Sequence, residues 1–201
     1  MLPASRPSFG TDGLRGVANS ELTSELALAL GRAAARRLGH RVVLVGRDTR
    51  RSGPMLQAAL SAGFLAEGVR VVDVGVIPTP GLAWLAARRS VPAAMISASH
   101  NPFPDNGIKL LSPEGSKLPD AAERAVEEEL EVLLSRHGLP AGAPGEQVGE
   151  LESDPGAVAE YAGHLLGSVE LDHSWPLKVV CDCANGAASF VAPRVLRDLG
   201  I

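Results

Sequence analysis

No run of 18 consecutive apolar residues occurs anywhere in this 201-residue chain, so the sequence offers no membrane-spanning helix. The N-terminus, Met1-Leu-Pro-Ala-Ser-Arg, lacks a basic region followed by an apolar stretch and does not read as a secretion signal. Aromatic residues make up only 3%, so the core must be built from aliphatic and small side chains. Lysine is scarce, three against 16 arginines, and asparagine plus glutamine total six. With 19 basic and 23 acidic residues the formal charge is -4, which argues against nucleic acid or an anionic membrane as partner, because both need a basic face. Neither Gly-x-Gly-x-x-Gly nor Gly-x4-Gly-Lys-Ser/Thr is present, not even at the nucleotide-like Val45-Gly46-Arg47-Asp48-Thr49-Arg50, so dinucleotide and P-loop assignments fail. The only cysteines, Cys181 and Cys183, stand two apart at the end of an apolar run read as a strand. No bridge is expected between them, and a reducing cytoplasm is the better reading.

What is present is the balance of a folded protein: 45% hydrophobic and 21% charged residues. Apolar residues recur at helical spacing from Thr23 to Leu38, with Thr23 placed to cap the start and Gly39 the end. Val42 to Gly46 is a continuous β-branched run, as in a strand covered on both faces. A helix over Ser52 to Glu67, a strand over Arg70 to Val74, and a helix from Pro80 to Arg89 with Thr79 as cap follow. A third strand spans Ala93 to Ala98. Asn106-Gly107 predicts a tight reversal before a short strand over Ile108 to Leu111, which makes one member of the sheet antiparallel. Asp120 to Leu134 carries five glutamates and reads as a helix with a solvated face. His137 to Asp154 reads as a linker, and another helix opens at Asp154-Pro155 and runs to Leu166. The expected fold is α/β, a three-layer αβα doubly wound mixed sheet, over residues 1–150.

From there to residue 201 the expectation is a connecting helix and the first βα unit of a second, similar domain: a strand over Leu177 to Cys181, a loop, and a helix over Ser189 to Leu199. Such a strand needs a parallel neighbour to cover its faces. The unit therefore either docks on the first domain or opens a second domain that continues beyond Ile201, and the latter is favoured.

Three polar segments follow these elements, where open α/β sheets carry their ligands. Phe9-Gly10-Thr11-Asp12-Gly13-Leu14-Arg15-Gly16 has glycines that allow close backbone approach and an arginine able to grip phosphate bidentately, or it is a plain N-terminal turn. Ile96-Ser97-Ala98-Ser99-His100-Asn101-Pro102 sets Ser99 beside His100. No glycines flank Ser99 as a hydrolase elbow requires, which leaves a turn serine or one that accepts and returns a phosphoryl group. In Asp105-Asn106-Gly107-Ile108-Lys109, Lys109 is a point charge near that loop, or a strand-edge lysine.

Together with Val180-Cys181-Asp182-Cys183-Ala184-Asn185-Gly186-Ala187-Ala188, these motifs resemble the α-D-phosphohexomutases over nearly the whole chain, and most closely the branch that handles glucosamine phosphates. The resemblance implies an intramolecular phosphotransferase of four domains, in which a phosphoserine matching Ser99 phosphorylates a sugar phosphate and takes the other group back from the bisphosphate. It implies Mg2+ on the phosphorylated Ser99, a sugar bisphosphate as activator, and Arg15 and Lys109 on the reacting phosphoryl group. His100 becomes the adjacent acid/base or orienting residue, and Asn101 and Asn106 support the loop. The implied partner is a phosphosugar, with a homodimer open and neither nucleic acid nor membrane. The family's metal, sugar-specificity and phosphate-clamp loops have no counterpart in these residues, so the 201-residue chain is expected to be inactive alone. Glucose or mannose phosphate as substrate, and a non-catalytic phosphosugar-binding module, are the alternatives; an esterase using Ser99 and His100 is disfavoured.

Overall fold

Thr23 accepts the amide of Leu26 on its Oγ1 at 3.2 Å, and Gly39 closes the same helix at φ 66°, so both ends of α1 (Ser24–Leu38) stand where the sequence puts them. In chain order the computed structural model, which describes residues 13–136, 138–170 and 178–201, runs β1 (Leu14–Val17), α1, β2 (Val42–Arg47), α2 (Gly53–Ala66), β3 (Arg70–Val76), α3 (Thr79–Arg89), β4 (Ala93–Ile96) and β5 (Asp105–Leu111). After these come α4 (Asp120–Ser135), β6 (Leu151–Ser153), α5 (Ala157–Gly167) and α6 (Ala192–Asp198).

The strands form one mixed sheet in the order β1-β5-β4-β2-β3-β6. β5 runs antiparallel to both neighbours and the other pairs are parallel, so the sheet has the single antiparallel member that was expected. One face packs Val43, Val45, Ile96, Ile108 and Leu110 against α1, α2 and α4; the other packs Leu44, Val72, Val74 and Met95 against α3 and α5. Leu30, Leu56 and Leu60 are fully buried in the first layer, each contributing about 1.5–3 kcal/mol over exposure. Since α2 and α3 lie on opposite faces, the connections diverge at β2 and β4. A doubly wound sheet presents its ligand crevice at the carboxyl ends flanking such a point.

Several local expectations need correction. Helix α3 is preceded by Pro78, not capped by Thr79, and has no side-chain cap bond. Asn106-Gly107 lies inside β5; the reversal comes earlier, between β4 and Asp105, because the Asn106 side chain is buried, accepting the Gly107 amide and donating to Ser52 Oγ. Leu14, Arg15 and Gly16 of the first glycine motif, for which a plain N-terminal turn is one of the two sequence readings, form with Val17 a strand paired with β5, and the linker hides the short edge strand β6 on β3. The acidic helix is only partly a solvated face, for Glu123 is buried against Lys117 at 2.9 Å, and Glu129 binds Arg36 and Arg37, each at 3.1 Å. Of the strand expected over Leu177–Cys181, Leu177 lies outside the described residues, and 178–181 form no strand. Among the described residues no strand covers this segment, and Val180 is 99% exposed. The following segment leans on the second core cluster through the buried Val191 and the half-buried Val195. Cys181 and Cys183 are free thiols with sulfurs 3.5 Å apart, brought near each other by a loop where a strand was expected. No helix among the described residues is long and apolar enough to cross a membrane.

Candidate active site

Strands β2 and β4 are parallel neighbours, so the segments leaving their carboxyl ends, Asp48-Thr49-Arg50 and Ser97-Ala98-Ser99, emerge side by side. Asp48 donates its amide to Ile96 O at 3.0 Å, which continues the ladder by one rung. Its buried carboxylate then gathers three donors: the Arg50 amide at 3.0 Å, Arg50 Nε at 3.0 Å and Ser97 Oγ at 2.7 Å.

Ser99 sits at the exposed tip of this arrangement with φ 56°, in the left-handed region that costs a non-glycine residue of order 1 kcal/mol. The surroundings hold it there. Its amide donates to Ser97 Oγ at 3.0 Å, and its carbonyl accepts Arg50 Nη2 at 2.9 Å. With both backbone groups engaged, Ser99 Oγ is left toward solvent, 3.3 Å from His100 Nδ1. An open cleft of about 600 Å³ lies in front of it, lined by Asp48, Thr49, Arg50, Ser99, His100, Asn101 and Phe103, and closed on another side by Ala184, Asn185 and Gly186. Thr49 Oγ1 donates to Asn185 O at 2.7 Å and ties that wall to the β2 loop.

Ser99 and His100 thus come together as the sequence suggests. Arg15 and Lys109 do not line this cleft. Strand alternation puts Leu14 and Ile108 in the α1 layer and turns Arg15, Gly107 and Lys109 to the opposite face. There Arg15 is opposite Gly107 and diagonal to Lys109, with Cα atoms roughly 7–8 Å apart. Gly107 is required by space: a Cβ would lie 2.7 Å from Ser97 O and 3.0 Å from Arg15 Cγ. Arg15 Nη1 reaches Asn101 Oδ1 at 3.2 Å, and Asn101 Nδ2 donates to Asp105 Oδ2 at 3.0 Å, so this cation is joined to the serine loop through its asparagine. Gly10, Thr11 and Asp12 of the first motif lie outside the described residues.

Asp48, Arg50 and Ser97 are the residues whose part in the site was not read from the sequence. The available signal was the polar run leaving a buried strand, a position that in open α/β sheets serves the ligand crevice. For a hard cation the set is incomplete. No group of three or more His, Cys, Asp or Glu among the described residues could hold a metal, and Asp48 and Asp105 are committed to Arg50, Ser97 and Asn101.

Residues 6–136 match the family model for the phosphoglucomutase/phosphomannomutase alpha/beta/alpha domain I. The phosphoglucosamine mutases of Rubrobacter xylanophilus and Mycobacterium tuberculosis are 53% and 50% identical over 195 and 202 residues. Each alignment covers 96% of this chain but 42% and 44% of those proteins. The chain therefore spans a little over two fifths of the length of the curated relatives it matches. A phosphoglucomutase/phosphomannomutase family protein of Burkholderia thailandensis has a similar structure, with TM-score 0.79 and 31% identity over 98% of this chain and 43% of that one. The parafusin of Paramecium, at 17% identity and TM-score 0.73 over 98% of this chain and 42% of its own, shares the fold.

Proposed function

The chain belongs to the phosphoglucomutase/phosphomannomutase family, the α-D-phosphohexomutases, and on that premise we propose that it is the N-terminal part of a phosphoglucosamine mutase. The reaction is the interconversion of glucosamine 6-phosphate and glucosamine 1-phosphate. Residues 1–150 are the domain that bears the serine loop, and 151–201 are the connection and the start of a second unit.

Phosphorylated Ser99 gives its phosphoryl group to a sugar hydroxyl: the bond from phosphorus to Ser99 Oγ breaks, a bond to the sugar oxygen forms, and the hydroxyl proton passes to His100. The bisphosphate turns over in the site and returns its other phosphoryl group to Ser99. Transfer spreads charge over the phosphoryl oxygens, so preorganised cations lower the barrier, and Arg15 and Lys109 are assigned that task. Phosphorylated Ser99 would be one ligand for Mg2+, which would supply further charge neutralisation there; the described residues do not complete its ligand set.

The observation that carries this reading is the presentation of Ser99: a serine at φ 56° whose amide and carbonyl are both held, leaving Oγ directed at an open cleft. A coupled assay with glucosamine 6-phosphate, Mg2+ and a sugar bisphosphate, run on this chain and on the product of the full reading frame, tests it. Turnover by the longer product alone is expected. Turnover by the 201 residues alone would contradict the need for further domains. Turnover only of glucose or mannose phosphates would move the substrate within the family, and silence with all three would end the mutase reading.

A further inference from the structure

Arg50 has five N–H groups, and all five are spent on the serine loop and its anchor. Nε donates to Asp48 Oδ2 at 3.0 Å; Nη1 donates to Pro102 O at 2.7 Å and Asp105 O at 2.9 Å; Nη2 donates to Ser99 O and Asn101 O, both at 2.9 Å. One planar cation thus collects three carbonyls from the loop that joins β4 to β5 and a fourth from Asp105, the first residue of β5. Its own carboxylate partner, Asp48, also accepts Ser97 Oγ, and Ser97 Oγ accepts the Ser99 amide. The ring of bonds closes on Ser99 from both sides of its peptide.

We infer that Arg50, backed by Asp48, is the positioning residue of this loop: it holds Ser99 in the left-handed conformation that presents Oγ, and it does so by geometry rather than by lending charge to the phosphate. The inference rests on Ser99 as the phosphoryl carrier. Loop carbonyls point their negative ends inward at the guanidinium, so the cation also cancels repulsion that would otherwise open the loop. A lysine keeps the charge but has three donors on a flexible stem and cannot meet five acceptors at once.

Arg50→Lys in the full-reading-frame protein separates geometry from charge. The rate of phosphoryl transfer from a sugar bisphosphate to residue 99 is read by intact mass, beside KM for the sugar phosphate and Tm. The expected result is a folded variant that transfers about 100-fold more slowly with KM little changed, the cost of a small misplacement of the reacting atom. Added guanidinium ion should restore part of the lost rate in Arg50→Ala. Wild-type transfer by Arg50→Lys, or losses that only track the folded fraction, would overturn the inference. Should the variants not fold, the unmutated protein still decides: the Arg50 Nη protons should give separate, slowly exchanging NMR signals, and averaged signals would refute the clamp. Ser99→Ala is the control, since labelling that survives it would refute the carrier assignment whatever Arg50 does.

Discussion

Arg15 Nη1 lies 3.2 Å from Asn101 Oδ1, which fastens a cation of the first strand to the loop two residues beyond Ser99. On the proposed assignment of Arg15 to the reacting phosphoryl group, a guanidinium so held is preorganised for the charge that develops in transfer, and preorganised donors of this kind are worth about 100- to 1000-fold in turnover. Arg15→Gln in the full-reading-frame protein should lose that much in kcat and keep its fold by circular dichroism. Unchanged kcat would remove Arg15 from the catalytic set.

Helices α1 and α2 cross where two glycines meet. A Cβ on Gly63 would lie 2.9 Å from Arg32 N and 3.0 Å from Gly31 Cα, against backbone that cannot swing aside. Gly63→Ala should therefore destabilise by about 1–3 kcal/mol, the usual cost of overpacking, read as a fall of several degrees in Tm. An unchanged Tm would mean that the two helices can separate without penalty.

Glu67, at the end of α2, accepts Arg32 Nε at 2.6 Å and Arg36 Nη2 at 2.9 Å. Burial by itself pushes its carboxyl up, but the hydrogen bonds and charges of Arg36 and Arg32 outweigh that and hold the value below its ordinary one. A depressed carboxylate contributes stability that is fully present above its unfolded value, ~4.3, and lost as pH falls through the folded value. Glu67→Gln should lower stability near neutral pH by about 1–3 kcal/mol, because buried Arg32 loses its charged partner. The variant should also show a shallower acid-side decline in urea titrations. A decline as steep as that of the parent would assign the acid sensitivity to other carboxylates.

The elements that could be read from sequence are those whose signals are local. Thr23, Gly39 and the β-branched run at Val42 act on their nearest neighbours, and the structure follows them. β1 escaped because four residues, one of them Gly16, give no period, and the strand exists only by pairing with β5, ninety residues away. β6 has three exposed residues and is defined by its partner β3 alone. Asn106-Gly107 carried a true turn signal that tertiary context overrode: Gly107 is wanted for the space beside Arg15 and Ser97, and Asn106 for its bond to Ser52.

The site divides the same way. Ser99 and His100 are adjacent in sequence and so could be paired on inspection, whereas Arg50 takes its meaning from carbonyls some fifty residues downstream. No local pattern encodes that clamp. Lys109 stands out in the sequence for its nearness to the loop, and the structure sets it on the sheet face shared with Arg15 and not among the residues that line the cleft.

Ser99 is the residue proposed to carry the phosphoryl group. The most direct measurement is the intact mass, followed by site mapping, of the full-reading-frame protein and its Ser99→Ala variant after incubation with a sugar bisphosphate and Mg2+. The expected result is one added phosphoryl group, mapped to Ser99 and absent from the variant, with turnover in the variant reduced by several orders of magnitude. An equally labelled or near-normally active Ser99→Ala protein would contradict it.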